Sequence, residues 1–182
     1  MTVQNAYVFF ASGAIWHPAN AITALVTRSH LVHVAYGDRD TIVERTVEKG
    51  ERLVSFSRFI EHAPLVQTML SVEVETAASP IDVRLDKRPI STIRGLAYLW
   101  SGGRVKQNNC VTRCREYLAL CGYSTPDNLL SPIHLYEYLR ADGATEVVID
   151  ESHPAQYAAS RRGHANVASE AVPGRVQSAG EH

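Results

Sequence analysis

Three cysteines fall within one stretch of the sequence, Asn108-Asn109-Cys110-Val111-Thr112-Arg113-Cys114-Arg115-Glu116-Tyr117-Leu118-Ala119-Leu120-Cys121-Gly122-Tyr123, and their settings differ. Asn109 is a good N-cap, the run behind it lacks Pro and Gly, and Gly122 is placed to end a helix in a left-handed conformation. Cys110 therefore opens the helix. Its first turn leaves backbone N–H groups unpaired and carries the positive end of the helix dipole, and both favour thiolate over thiol, as a nucleophile requires. Val111, Cys114, Leu118 and Cys121 recur three or four residues apart, the spacing of a core-facing stripe, with Cys110 at its edge. Cys114 and Cys121 read as small core hydrophobes and Cys110 as a thiol presented at a helix mouth. The alternative is that all three are buried, because free cysteine is among the most buried residue types.

A cysteine nucleophile needs a base within hydrogen-bond reach and a third group to orient that base. His30 and His33 lie just before and on a β-rich run, Leu31 to Tyr36, and Glu44 lies on the next, Thr41 to Val47. A histidine in an apolar strand is otherwise a hydrogen-bonded core residue, and the cysteine helix is what turns the reading toward chemistry. A hairpin with a two-residue turn at Asp38-Arg39 would pair Gly37 with Asp40 and, stepping back, His33 with Glu44. Opposed residues hold their Cβ atoms roughly 4.5–5.5 Å apart on one face, so the carboxylate could orient the imidazole. His30 would meet Val47 instead and sit on the other face. Metal binding by Cys110, Cys114, His30 and His33 is the competing chemistry, but zinc sites place cysteines in tight loops, and Cys114 falls in the packing stripe. No metal and no cofactor are expected. His17, His62 and His134 have no evident partner, and His153, His164 and His182 fall in or beside the C-terminal stretch.

The elements that must position these residues follow the chain. Ala6 to Ala11 reads as a buried strand ended by Ser12-Gly13, and Pro18 begins a short helical stretch. After the hairpin, Glu48 to Glu51 reads as a polar turn and Arg52 to Phe56 as a third strand, which makes a meander. Ser57 to His62 suggests a helical turn, and Leu70 to Glu75 alternates as a half-exposed strand. Thr76 to Arg88 reads as loop with room for a strand at Ile81 to Leu85. Ile90 to Trp100 has helical spacing ended by Gly102-Gly103, and Ser131-Pro132 caps a last helix. Glu146 to Asp150 can add a strand. Residues 151–182 hold few large apolar groups and no period, so they cannot bury enough to offset ordering and read as a flexible tail.

The 182 residues suit one domain, 1–150, followed by that tail. A net charge of −1, with acids and bases interspersed, gives no footprint for nucleic acid or an anionic membrane. An odd number of cysteines is a poor disulfide framework and fits a reducing compartment. The first residues carry no basic region, and their apolar run is too short for a signal core or a membrane span. A cytoplasmic location is the expectation.

The order of a strand with histidine, meander strands and a late helix opening Asn-Cys-Val-Thr resembles the circularly permuted NlpC-type papain-like hydrolases, the group that includes lecithin retinol acyltransferase relatives. The resemblance spans roughly Ala6 to Leu139. It rests on His33-Val34-Ala35-Tyr36-Gly37-Asp38, which matches the family's His-Val strand and Gly-Asp-type turn, and on Asn109-Cys110-Val111-Thr112, which matches its cysteine motif. His30, a second histidine, departs from the pattern. The resemblance implies that Cys110 attacks a carbonyl, that His33 is the base and that Glu44 orients it, giving amide or ester hydrolysis or acyl transfer. It also implies a peptide or peptidoglycan-like substrate, because compact members of the group include bacteriophage proteins carried in the virion or tail.

The expected fold is α+β, an antiparallel sheet with the cysteine helix packed on one face. The expected function is a thiol hydrolase or acyltransferase acting on a peptide-type amide. The alternative of a different class is a catalytically silent structural or adaptor protein of a phage particle, with the tail engaging an assembly partner.

Overall fold

The apolar run Ala6 to Ala11 lies inside the first strand of the computed structural model, which describes residues 4–12, 18–38, 40–46, 50–62, 66–76, 78–80, 84–88, 92–105 and 108–147. That strand, β1 (Gln4–Ser12), is flanked on one side by β2 (Leu31–Gly37), β3 (Thr41–Thr46) and β4 (Gly50–Ser55). On its other side lie β5 (Val66–Val74) and β6 (Thr145–Val147), in the order β4-β3-β2-β1-β5-β6. Every neighbouring pair is antiparallel, and β2 to β4 form the expected meander. The helices are α1 (Pro18–Thr27), α2 (Phe56–His62), α3 (Thr92–Trp100), α4 (Cys110–Leu120) and α5 (Pro132–Ala141), so the fold is α+β. Among the described residues no helix is long and apolar enough to cross a membrane. The chain divides into two units, Met1–Ile149 and Asp150–His182, and all described residues belong to the first. The tail expected at 151–182 lies outside them, as does most of the strand allowed at Ile81 to Leu85, whose described end, Arg84-Leu85, is not in a strand.

Because side chains alternate across a strand, an interior strand buried on both faces feeds two cores. On one face Ala6, Val8 and Phe10 pack with Val34, Tyr36, Leu70 and Val72 beneath α4 and α5. On the other, Tyr7 and Phe9 pack with Ala35, Ile42 and Met69 under α2, whose Phe59 meets Phe9 edge-on at 5.5 Å. The stripe on α4 falls on the first core as expected: Val111, Cys114, Leu118 and Cys121 are all buried, joined by Tyr117, whose ring stacks on Tyr36 at 4.9 Å. Burial pushes the Cys114 thiol well above its ordinary range. Cys114→Ser should cost about 1–3 kcal/mol by placing a hydroxyl in this apolar layer, read as a lowered midpoint of denaturant unfolding.

The β2–β3 hairpin forms, but two residues away from the expected register: Tyr36 pairs with Val43 and Gly37 with Ile42. The turn itself accounts for the difference. The Asp38 carboxylate accepts the N–H groups of Asp40 at 2.8 Å and Thr41 at 2.7 Å, and the Asp38 N–H donates to the Thr41 carbonyl at 3.1 Å. Asp38 thus closes the turn from outside it, as Asx residues do, and faces Thr41 rather than entering the turn. Gly37 is required here, because a Cβ would lie 2.2 Å from the Thr41 carbonyl oxygen. His33 and Glu44 are therefore not directly opposed. A second correction concerns Gly50 and Glu51, expected in a polar turn: both open β4, and Glu51 is only 2% exposed.

Candidate active site

Helix α4 starts at Cys110 because Asn109 is extended and caps it. The Asn109 side chain accepts the Thr112 N–H at 2.9 Å, and the Thr112 hydroxyl accepts the Asn109 N–H at 2.8 Å, so two orphan donors are satisfied reciprocally. At the other end Gly122, with φ 82°, donates to the Ala119 carbonyl at 3.1 Å, and Tyr123 donates to that of Leu118 at 2.9 Å. This left-handed ending fixes the length of α4 and so the position of its first turn.

Cys110 is half-buried at the margin of the α4 core. Its sulfur is hydrogen-bonded to the His33 side chain and to the backbone N–H groups of Val34 and Val111. Burial alone would raise the thiol, but the His33 hydrogen bond and charge, with the two N–H groups, outweigh it and bring Cys110 below its ordinary 9.0. At His33 burial opposes the imidazolium, yet the bond to Cys110, the Cys110 charge and the Glu44 charge together raise it above 6.5. The two shifts run in the directions of a thiolate–imidazolium pair.

Two irregularities in β2 bring these groups together. Against β1, Ala11 pairs with His33 but Ser12 pairs with Leu31, so Val32 is an extra residue. Such a bulge twists the strand and re-aims a side chain. The alternation breaks accordingly, since Leu31 and Val34, three residues apart, both enter the α4 core. The second irregularity lies on the β3 side. The Asp38 N–H points toward β3, and residues two apart along a strand direct their N–H groups the same way, so Tyr36 and Val34 face β3 as well. The ladder to β3 ends at Tyr36 and Val43, and the Val34 N–H goes to the sulfur instead.

Of the residues expected in the site, Cys110 and His33 meet. Glu44 lies opposite Arg52 in the β3–β4 ladder and forms an ion pair with it, acting on His33 through its charge. His30 is exposed outside β2. Among the described residues no group of three or more His, Cys, Asp or Glu is arranged to hold a metal ion. The Val34 N–H was not foreseeable from residue types, because any residue but proline offers one. The outer face of α4 borders a cavity of about 590 Å³ whose lining includes Tyr98, Asn108, Thr112 and Arg115, but neither Cys110 nor His33.

No known family model and no curated protein matches the sequence.

Proposed function

We propose that this chain is a thiol hydrolase related to the circularly permuted NlpC-type papain-like group, acting on a peptide-type amide, with peptidoglycan peptides within that class. The observation that carries the reading is the sulfur of Cys110 held by an imidazole and two backbone N–H groups at a helix mouth. The thiolate attacks the carbonyl carbon, and the oxyanion that forms is stabilised by N–H groups of the first turn of α4, including that of Cys110. Collapse breaks the C–N bond, and the departing amine takes the proton from His33. Water then attacks the thioester, giving its proton back to His33, and the thiolate leaves; an alcohol or amine in place of water makes the same site an acyltransferase. Glu44 favours the imidazolium by its charge.

An activity-based thiol probe tests this directly. Rapid labelling confined to Cys110 is expected; labelling no faster than that of a free peptide cysteine would overturn the enzyme reading and leave the fold as a binding scaffold in an assembly.

The pKa shifts also set the shape of the pH dependence. Thiolate appears as pH climbs through the lowered Cys110 value, so the rate of alkylation should already be high below 9.0 and should not fall at higher pH. Turnover also needs the His33 proton for the leaving amine, and that proton is lost as pH rises through a value above 6.5. Hydrolysis should therefore be bell-shaped while alkylation only rises, with both limbs belonging to the coupled pair. Coincident profiles would remove His33 from the acid role.

A further inference from the structure

Beyond Tyr36 and Val43 the strands β2 and β3 part, and the first turn of α4 brings its sulfur to the fork. A network of charged groups lies there. Arg45 on β3 lies 3.4 Å from Glu51 on β4 and 3.4 Å from Asp86, and it also donates to the carbonyls of Asp86 and Arg88 at 3.3 and 3.2 Å. Glu51, whose side chain is wholly buried, accepts Arg113 Nε at 2.6 Å, Arg113 Nη2 at 3.2 Å and the Asp86 N–H at 2.6 Å. Arg113 Nη2 donates as well to the Arg84 carbonyl at 2.9 Å, and its Nη1 forms an ion pair with Glu116. Asp86 accepts the Asn108 side-chain amide at 3.3 Å, two residues before Cys110. The Asp86–Arg88 backbone can approach because residue 50 is glycine: a Cβ there would lie 2.5 Å from the Lys87 carbonyl carbon.

Cohesion alone does not account for this arrangement. Burying charge is costly, and apolar side chains of similar volume commonly hold a fold as well or better. Arg113 is the fourth residue of α4, near the end of the helix where the dipole disfavours a cation. What the two-point contact with Glu51 supplies is direction, since a planar guanidinium on a carboxylate fixes both distance and orientation.

We propose that Glu51 is a positioning residue for Cys110: its hold on Arg113, seconded by the Asp86–Asn108 bond, sets the first turn of α4 at the β2–β3 fork so that the sulfur meets His33 and the Val34 N–H together. This rests on Cys110 being the nucleophile. Reacting groups tolerate little displacement, so loosening the tie should be felt in reactivity before it is felt in the fold.

The test uses the full chain and two readouts: alkylation of Cys110 by iodoacetamide as a function of pH, and hydrogen exchange of the Val34 amide. Arg113→Lys keeps the charge and loses the fork; it should slow alkylation at neutral pH about tenfold, move the rising limb toward the ordinary thiol range and speed Val34 exchange, with melting little changed. Glu51→Gln should slow alkylation and speed Val34 exchange more strongly and should also lower the melting, because it takes the buried carboxylate from Arg45 and Arg113 together. The double variant, Glu51→Met with Arg113→Met, replaces the pair by apolar packing; it should melt near wild type and remain slow. Wild-type alkylation profiles and wild-type Val34 protection in folded Arg113→Lys or in the double variant would overturn the proposal. If wild-type Cys110 reacts no faster than a free cysteine while Val34 protection still depends on Arg113, the nucleophile reading fails and the positioning role stands.

Discussion

Cys110→Ala should reduce hydrolysis of an activated ester such as p-nitrophenyl acetate to the background given by exposed imidazoles, because neither of the other cysteines can take over the attack. Cys114 and Cys121 are fully buried in the α4 core, and burial holds the Cys114 thiol well above its ordinary range. The same substitution should move stability by no more than about 1 kcal/mol, since Cys110 is half-buried and alanine suits a first helical turn. The measurement pairs ester turnover with thermal melting. Retained turnover in Cys110→Ala would assign the activity elsewhere, and a large loss of stability would make Cys110 a structural residue.

The second large effect belongs to His33. His33→Ala removes the hydrogen bond and the positive charge that most strongly lower Cys110, leaving burial opposed only by the N–H groups of Val34 and Val111. Alkylation at neutral pH should fall by about one to two orders of magnitude, with its rising limb moved upward. Glu44→Gln should weaken reactivity less, because Glu44 adds only charge at His33 and is shared with Arg52. His30→Ala should leave it near wild type, since His30 is exposed outside the strand. Loss on changing His30 with retention on changing His33 would reverse the assignment.

Local signals were legible because local physics decides them. The Asn109 cap, the stripe from Val111 to Cys121, the left-handed ending at Gly122 and the Ser131-Pro132 start of α5 each depend on residues within a turn or two of one another. The meander was legible for the same reason, because alternation and turn residues mark each strand where it stands. Register was harder. Either Asp38-Arg39 or Arg39-Asp40 could make the two-residue turn, and the choice fell to the Asp38 carboxylate, which binds the N–H groups of Asp40 and Thr41. That two-residue offset moved Glu44 from the place opposite His33 while keeping its charge within reach. Glu51 was harder still: beside Glu48, Lys49 and Gly50 it has the composition of a solvated turn, and its burial is made tolerable by Arg45, by the Asp86 N–H and by Arg113, the last 62 residues away in the chain. The bulge at Val32 leaves no mark in residue types at all.

The interrupted ladder at Val34 bears on how the site would look to a geneticist. Its contribution to the sulfur is a peptide N–H, which every substitution except proline preserves. Trading the valine for alanine would register only as the loss of a packed isopropyl group from the α4 core, so a saturation library would classify position 34 as scaffold. Chemical synthesis reaches what codons cannot: an ester in place of that single amide deletes the donor while leaving the isopropyl group where it is. Part of the reactivity of the thiol is thus written in where two strands stop pairing, and recoding the residues around it would leave that part unread.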